Sequence, residues 1–322
     1  MQPPVRQKSA PFAASLDLAL VAGCGAYLLS WLPSVAWPLE VLGNFVVQAA
    51  LGGGVVAAFF ALRRRWWRAG LAVVFAVLWA IPWLLRPQES PPPSAGPTVV
   101  VSLHNVLRTN TTPHRVADEL DAWAPDLAVL EEVSEAWTPT LTRLSADWPH
   151  QVFQPADHNF GIAAISRVPL ASAEVRHFVG PPAETLPALD LTVPTHLGPV
   201  RVVAVHFVPP VGRTAARVRD AQIDALVDLF RDRTAERTIL VGDLNTTLFA
   251  ATYRRLLDGT GLVDVRQGRG LLPTWPAGMP ELLRLSLDHM LLSPDLVARD
   301  VQVGGLTGSD HRGIRVEVAA RR

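Results

Sequence analysis

The sequence predicts a mixed α/β domain carried behind three membrane-spanning helices, and three observations predict it. Residues 13–85 are almost continuously apolar, a run of Pro, Ser and Gly follows, and the rest of the chain alternates short β-branched runs with amphipathic stretches. The first pattern suits segments solvated by lipid, the second a linker, and the third strands and helices around one core.

Three apolar stretches, Ala13–Leu32, Gly43–Leu62 and Gly70–Leu85, make up the first region. Two of them approach the roughly 20 residues that cross a bilayer. The third is shorter and holds Pro82, which membrane helices tolerate. Trp31, Trp37, Trp66, Trp67, Trp79 and Trp83 fall in or beside these stretches, most near their ends, as side chains of the membrane–water interface do. A cleaved signal peptide would account for the first stretch but not for the other two. Arg63, Arg64, Arg65 and Arg68 form the most basic run in the chain, which places them on the cytoplasmic side. The N-terminus, with Arg6 and Lys8, then shares that side, and one further crossing puts everything after Leu85 outside. The expected protein is a multi-pass cell-membrane protein: 1–86 the membrane region, 87–97 a Pro-rich linker, 98–322 an extracytoplasmic domain.

The single cysteine, Cys24, lies in the first stretch, which excludes a disulfide framework and a thiolate metal site. Residues 98–322 hold 22 arginines, no lysine and 26 acidic residues, an excess of four negative charges within a chain that is neutral overall. Such a domain lacks the basic surface of a tight, non-specific nucleic-acid binder, although a divalent cation still permits catalysis on nucleic acid.

Strands are expected at Val99–Leu103, Leu127–Leu130, Gly161–Ser166, Val200–Phe207, Thr238–Val241, Leu287–Leu292 and Ile314–Val318. Helices are expected at Thr112–Trp123, with Pro113 at its first position, and at Thr214–Arg231, where Ile223, Leu226, Val227 and Phe230 share a face. Several of these strands deliver a polar residue at one end: Asn105, Glu132, His206, Asp243, Asp288 and Asp310.

An apolar strand that ends on an acid needs a partner for it, because a buried, unpaired carboxylate is costly. A hard cation such as Mg²⁺ or Mn²⁺ is such a partner, since it takes oxygen ligands, one or two of them carboxylates. LEEV offers Glu131 and Glu132, GDLN offers Asp243 and Asn245 on one face of an extended segment, and TGSDH offers Asp310 and His311. Carboxylates, amides and two histidines gathered at strand ends suit phosphodiester hydrolysis, in which a cation polarises the phosphoryl oxygen and a His–Asp pair moves the proton. His289 and His104 alternate with Asp288 and Asn105 along their strands and so face away, as structural residues do. His158 and Asn159 are candidates to line a groove, and Trp275 one to stack on substrate.

The Asn of HNVL, the second acid of LEEV, GIAAISR, the His of VAVHF, GDLN, the Asp of LDHML and the terminal GSDH follow one another across residues 98–322. In that order they resemble the endonuclease/exonuclease/phosphatase family, the DNase I-like metal-dependent phosphodiesterases, including bacterial membrane-anchored members. The resemblance implies a four-layer sandwich, two β-sheets flanked by helices, with the site at one end. It implies Glu132 as principal metal ligand with Asn105 beside it and Asp310 assisting. It implies Asp243 and Asn245 at a metal or nucleophile and the scissile phosphate, and His311 as general base or acid oriented by Asp288. His206 would contact phosphate or protonate the leaving group. Three positions depart from the family: Glu131 stands where Gln is frequent, Leu244 replaces a Phe, and Leu107 replaces an Asp found in some DNA-repair members.

The expected activity is therefore a membrane-anchored, divalent-metal-dependent phosphodiesterase acting outside the cytoplasm on a lipid headgroup or on nucleic acid. The alternatives are an extracytoplasmic nuclease and a non-catalytic membrane scaffold that kept the fold.

Overall fold

The computed structural model describes residues 10–29, 37–86, 96–179, 185–231 and 237–321. They form two compact units, Met1–Arg86 and Pro87–Arg322. Arg6, Lys8, Trp31 and all but the last two residues of the expected linker lie outside the described residues.

The first unit contains α1 (Ala10–Leu29), α2 (Trp37–Gly43), α3 (Val46–Leu62) and α4 (Trp66–Leu84). The expectation of three spans is corrected here. By length and composition one described helix is able to cross a membrane, α4, with a mean hydropathy of 1.6. A second span exists only if α2 and α3, bent by 75° at their junction, are taken together. The reason lies in the sequence: Asn44 and Phe45 form a turn that leaves α3 with 17 residues. In α1 the apolar helix among the described residues is the shorter Ser15–Leu29. Asp17 puts a charge inside it and accepts hydrogen bonds from Arg68 at 3.1 and 2.8 Å.

The second unit runs β1 (Thr98–Asn105), α5 (Pro113–Trp123), β2 (Leu127–Glu131), α6 (Thr138–Leu144), β3 (His150–Gln154), β4 (Ile162–Ser166), β5 (Ser172–Val179) and β6 (Thr185–Thr195). It continues with β7 (Gly198–Val205), α7 (Arg213–Arg231), β8 (Thr238–Asp243), α8 (Ala251–Thr260), β9 (Val263–Asp264), β10 (Asp288–Leu292), β11 (Leu296–Val303) and β12 (Ile314–Ala320). All seven expected strands and both expected helices are present. One sheet has the order β11-β12-β1-β2-β4-β3 and the other β5-β6-β7-β8-β10-β9.

The two sheets share one core, to which Val101, Leu103, Val129 and Val316 contribute from the first and Leu191, Val202, Val241 and Met290 from the second. Outside the first sheet, Val116 and Leu120 of α5 and Leu141 and Leu144 of α6 pack with Trp137 and Trp148. Outside the second, Ile223, Leu226 and Phe230 of α7 and Tyr253 and Leu256 of α8 pack on Leu240 and Leu291. These are the four layers. Truncating one such Leu to Ala costs about 2–5 kcal/mol, a large share of a domain's net stability of about 5–15 kcal/mol, so the core fixes the strand ends firmly.

The pairing explains why chemistry collects at one end. Within each sheet two neighbouring strands run parallel, β1 with β2 and β7 with β8. Parallel strands end together, so Asn105 meets Glu131 and Glu132 in one sheet, and His206 follows β7 beside Asp243 in the other. β10 runs antiparallel to β8 with Asp288 opposite Asp243, and β12 runs antiparallel to β1 with Ile314 opposite Leu103. The beginnings of β10 and β12 therefore arrive where the parallel strands finish.

Candidate active site

Asn105 closes β1 and donates its amide to Glu132 Oε1 at 3.1 Å and Asp243 Oδ2 at 3.3 Å. Glu132 leaves β2 through left-handed backbone with φ 61°, a conformation that costs a non-glycine residue on the order of 1–3 kcal/mol. By leaving the strand's alternation, Glu131 and Glu132 both reach this end of the sandwich. Glu131 is fully buried and accepts the Asp243 amide at 3.0 Å to Oε2 and 3.2 Å to Oε1, tying the first sheet to the second. The glycine of GDLN makes that approach possible, since a Cβ on Gly242 would run into the Val205 carbonyl and lie 2.8 Å from Glu131 Oε1.

His311 Nδ1 lies 2.8 Å from Asp288 Oδ2, which also accepts the Thr274 hydroxyl. The His311 loop is fastened to β1: the Ser309 hydroxyl donates to the Asn105 carbonyl at 2.7 Å and accepts the His311 amide at 3.0 Å. Asn110 and Thr112 donate to the Thr307 carbonyl at 3.2 and 3.1 Å. Gly308 follows at φ 90°, where a Cβ would strike the Thr112 hydroxyl. His311 Nε2 and His206 Nε2 each stand 3.7 Å from Asp243 Oδ2. Asn245, itself at φ 48°, donates its amide to the Phe207 carbonyl at 2.8 Å and lies 3.4 Å from His206 Nε2.

The charges are unbalanced. Burial, then the neighbouring charges of Asp243 and Asp288, pushes the Glu131 carboxyl well above its usual range. Burial raises Glu132. Asp243 is raised to about 7 by burial, with His311 opposing and Asp288 reinforcing. Burial alone would lower His311, but the negative charges of Asp288 and Asp243 outweigh it and push the imidazole up to about 10. Asp288 is held low: its burial is outweighed by the His311 charge and the hydrogen bonds from His311 and Thr274. His206 drops to about 3 through burial and the His311 charge, so it is neutral.

Seven of the expected residues, Asn105, Glu132, His206, Asp243, Asn245, Asp288 and His311, converge in this region, and five of them, all but Asn105 and Asp288, line a pocket of about 340 Å³. His158 and Asn159 line it too, with Phe160, whose ring centroid lies 5.0 Å from that of His206. Asp310 does not join the buried group. It is exposed at the rim and accepts the Trp275 indole N–H at 3.0 Å, and Trp275 is thereby engaged within the protein.

The donor set fits a hard cation. Carboxylates of Glu131, Glu132, Asp243 and Asp288 gather with His311, and Asp288 Oδ1 is buried without a hydrogen-bond partner. Donor atoms of Asp243, Asp288 and His311 lie within 4.8 Å of one another. The Asp288–His311 hydrogen bond already occupies one donor of each, so the better ligands are Glu132 and Asp243. The Asn105 amide oxygen accepts the Leu107 amide at 3.2 Å, so this side chain would ligate after an amide flip.

Sequence reasoning passed over a supporting layer behind the site. Arg266 is fully buried and reaches the Asp288 carbonyl, the Leu271 carbonyl at 2.9 Å and His289 Nδ1 at 3.1 Å. An arginine only donates, so His289 Nδ1 accepts and its proton sits on Nε2, which donates to the Thr246 carbonyl at 2.8 Å. The alternation along β10 marks His289 as structural, but nothing in the spacing of Arg266 and Thr274 announces their part in this network.

A two-sheet sandwich with acids and imidazoles gathered where its parallel strands end defines the DNase I-like phosphoester hydrolases. The profile of the endonuclease/exonuclease/phosphatase family matches residues 103–311, from within β1 to the dyad histidine, and the chain belongs to that family. It is a phosphoester hydrolase of that kind. Among solved structures, an endonuclease/exonuclease/phosphatase from Beutenbergia cavernae is 20% identical, with a TM-score of 0.57 over 70% of this chain and 72% of that one. TDP2 from D. rerio, complexed with a single-strand DNA product, is 17% identical, with a TM-score of 0.58 over 70% of this chain and 100% of that one. The 3' phosphatase NExo from Neisseria, bound to a product DNA hairpin, is 22% identical, with a TM-score of 0.55 over 69% of this chain and 99% of that one. At these identities the likeness is one of fold. No curated protein sequence matches the chain.

Proposed function

We propose that the chain is a divalent-cation-dependent phosphodiesterase, held in a cell membrane by its N-terminal helices with the catalytic domain outside the cytoplasm. The observation that carries the chemistry is the convergence of the Glu132, Asp243 and Asp288 carboxyl groups on His311 at one end of the sandwich. Asn105, Glu132 and Asp243 would hold Mg²⁺ or Mn²⁺, with Asp310 reaching in from the rim. A cation bound there supplies neutralisation of charge on the phosphoryl oxygens.

The chain's own groups divide the remaining work. His311, held as imidazolium by Asp288, donates a hydrogen bond or its proton to an oxygen of the phosphate. Asp243, whose Oδ2 stands 3.7 Å from both His311 Nε2 and His206 Nε2, would orient the attacking water beside the cation. Asn245 and neutral His206 hold the non-bridging oxygens, and the wall of His158, Asn159 and Phe160 confines the ester.

The full-length protein, purified in detergent, is expected to hydrolyse bis-p-nitrophenyl phosphate with Mg²⁺ or Mn²⁺ and to stop in EDTA. Absence of metal-dependent turnover on any phosphoester overturns the reading. For the membrane part, Arg63, Arg64 and Arg65 between α3 and α4, with Arg68 in the first turn of α4, favour a cytoplasmic loop, with α4 then leading outward. A cysteine at exposed Glu174 should react with an impermeant thiol reagent on intact cells, and protection until lysis rejects this orientation.

A nucleic-acid substrate is the second reading, favoured by the DNA products bound in two structures of similar fold. The domain's excess of acidic residues weighs against it.

A further inference from the structure

We infer that the mouth of the pocket docks on a lipid surface through three apolar-tipped loops, and that the phosphodiester it takes is that of a lipid headgroup. This rests on the phosphodiesterase reading above and names its substrate class.

Among the described residues of the domain, the large apolar side chains left exposed are Val211 at 84%, Leu282 and Leu306 at 57%, Met279 at 46% and Leu283 at 44%. Their placement is not scattered. Val211 lies in the loop that carries His206, Leu306 in the loop that carries His311, and Met279, Leu282 and Leu283 in the loop that leads to Asp288. The outer helices and the edge strands β3, β5 and β11 show no such side chain among their described residues.

The loops are fastened to the site. Pro209, two residues before Val211, lines the pocket. The Ala277 amide donates to the Asp310 carbonyl at 2.7 Å and Arg312 Nη2 donates to the Ala277 carbonyl at 3.0 Å, so the Met279–Leu283 segment is stitched beside the His311 loop. Leu306 is held between Gly305, whose amide donates to Glu119 at 2.7 Å, and the bonded Thr307 carbonyl.

Separate aliphatic tips on different loops make no continuous groove for a helix or strand of another protein. A nucleic-acid mouth would extend the Phe160 and His158 wall with further aromatic platforms at its tips and a basic track. The tips here are aliphatic, and exposed Arg213 follows Val211 two residues on, as basic residues do beside side chains that enter a headgroup layer, while Arg284 braces the Met279–Leu283 loop through the Met279 and Pro273 carbonyls. The chain also brings its own bilayer-seeking helix, α4.

The test uses the full-length chain reconstituted in vesicles of phosphatidylcholine and phosphatidylglycerol, lipids that are themselves phosphodiesters. Combined Val211→Ser, Leu282→Ser and Leu283→Ser should keep hydrolysis of bis-p-nitrophenyl phosphate within about twofold and lower headgroup release about tenfold or more. Equal lipid rates in the two proteins overturn docking, and DNA cleavage without any lipid turnover overturns the substrate class. A second measurement does not need turnover. With Cys24→Ser as background, bimane on Leu282→Cys should be quenched by brominated phosphatidylcholine, while bimane on Arg231→Cys, at the other end of α7, should not. An unquenched label at 282 overturns docking even in an active enzyme. A quenched label in a protein that hydrolyses no ester supports docking and overturns the phosphodiesterase reading instead.

Discussion

His311 Nδ1 and Asp288 Oδ2 lie 2.8 Å apart, both residues buried, although they come from different sheets. The pair closes one end of the sandwich and fixes the charge of the imidazole.

That charge has a consequence for stability. The His311 pKa is raised from 6.5 to about 10, so its contribution is complete below about pH 6.5 and is lost as pH rises through 10. Asp288→Asn removes the main attraction. In EDTA, the difference in melting temperature between wild type and Asp288→Asn should be large at pH 6 and shrink toward pH 10, from a loss on the order of a few kcal/mol. A difference independent of pH would show that His311 is not charged in the fold.

The repulsion among the acids predicts the response to metal. Mn²⁺ at 100 times its dissociation constant should stabilise the wild type by about 2.7 kcal/mol, read as a rise in melting temperature that EDTA reverses. Glu132→Gln should abolish that rise and lower the rate by orders of magnitude, yet leave metal-free stability equal or higher, because burial disfavours the Glu132 carboxylate when no cation is bound.

Glu131 should behave as its own amide. With its carboxyl pushed well above the usual range, it folds protonated, and stability falls as pH climbs through the folded value. Glu131→Gln keeps an acceptor for the Asp243 amide. Its activity is expected to stay within a few-fold of wild type, and its melting temperature to exceed wild type by a margin that grows from pH 5 to pH 9. Glu131→Ala, which leaves that amide without its acceptor, should instead be destabilised by about 1–3 kcal/mol.

Arg266→Met should be costly although it lies outside the pocket. It removes the ion-pair partner of half-buried Asp264, which keeps the Tyr253 hydroxyl, and leaves buried His289 Nδ1 and the Asp288 carbonyl without this donor, a loss of about 3–5 kcal/mol. His289→Gln, which still offers an amide donor toward Thr246, should fold better than His289→Leu and retain more turnover. Equal rates in the two would remove His289 from any part in holding the Asn245 turn.

Most strands legible in the sequence are buried on both faces, and β12 was legible from its alternation instead. β1, β2, β4, β7 and β8 are apolar runs because helices cover one side and the opposite sheet the other. β6 escaped because Pro187 and Pro194 interrupt it and Asp190 sits within it, a buried charge answered by Arg201 and Arg176 at 2.8 Å. β3 and β11 are partly exposed edge strands with mixed sequences. The site residues were legible because each stands beside an apolar run in a short motif. His289 was legible as a structural residue by its alternation with Asp288, whereas Arg266 and Thr274 were not, since their partners are carbonyls, a carboxylate and an imidazole that only the folded chain brings near.

Since β12 lies between β11 and β1, the first sheet is divided until the ribosome has passed Ala320. The same late segment brings His311. A nascent chain thus emerges with its acids assembled in part, and the Asp288–His311 pair forms only once this last segment has been made.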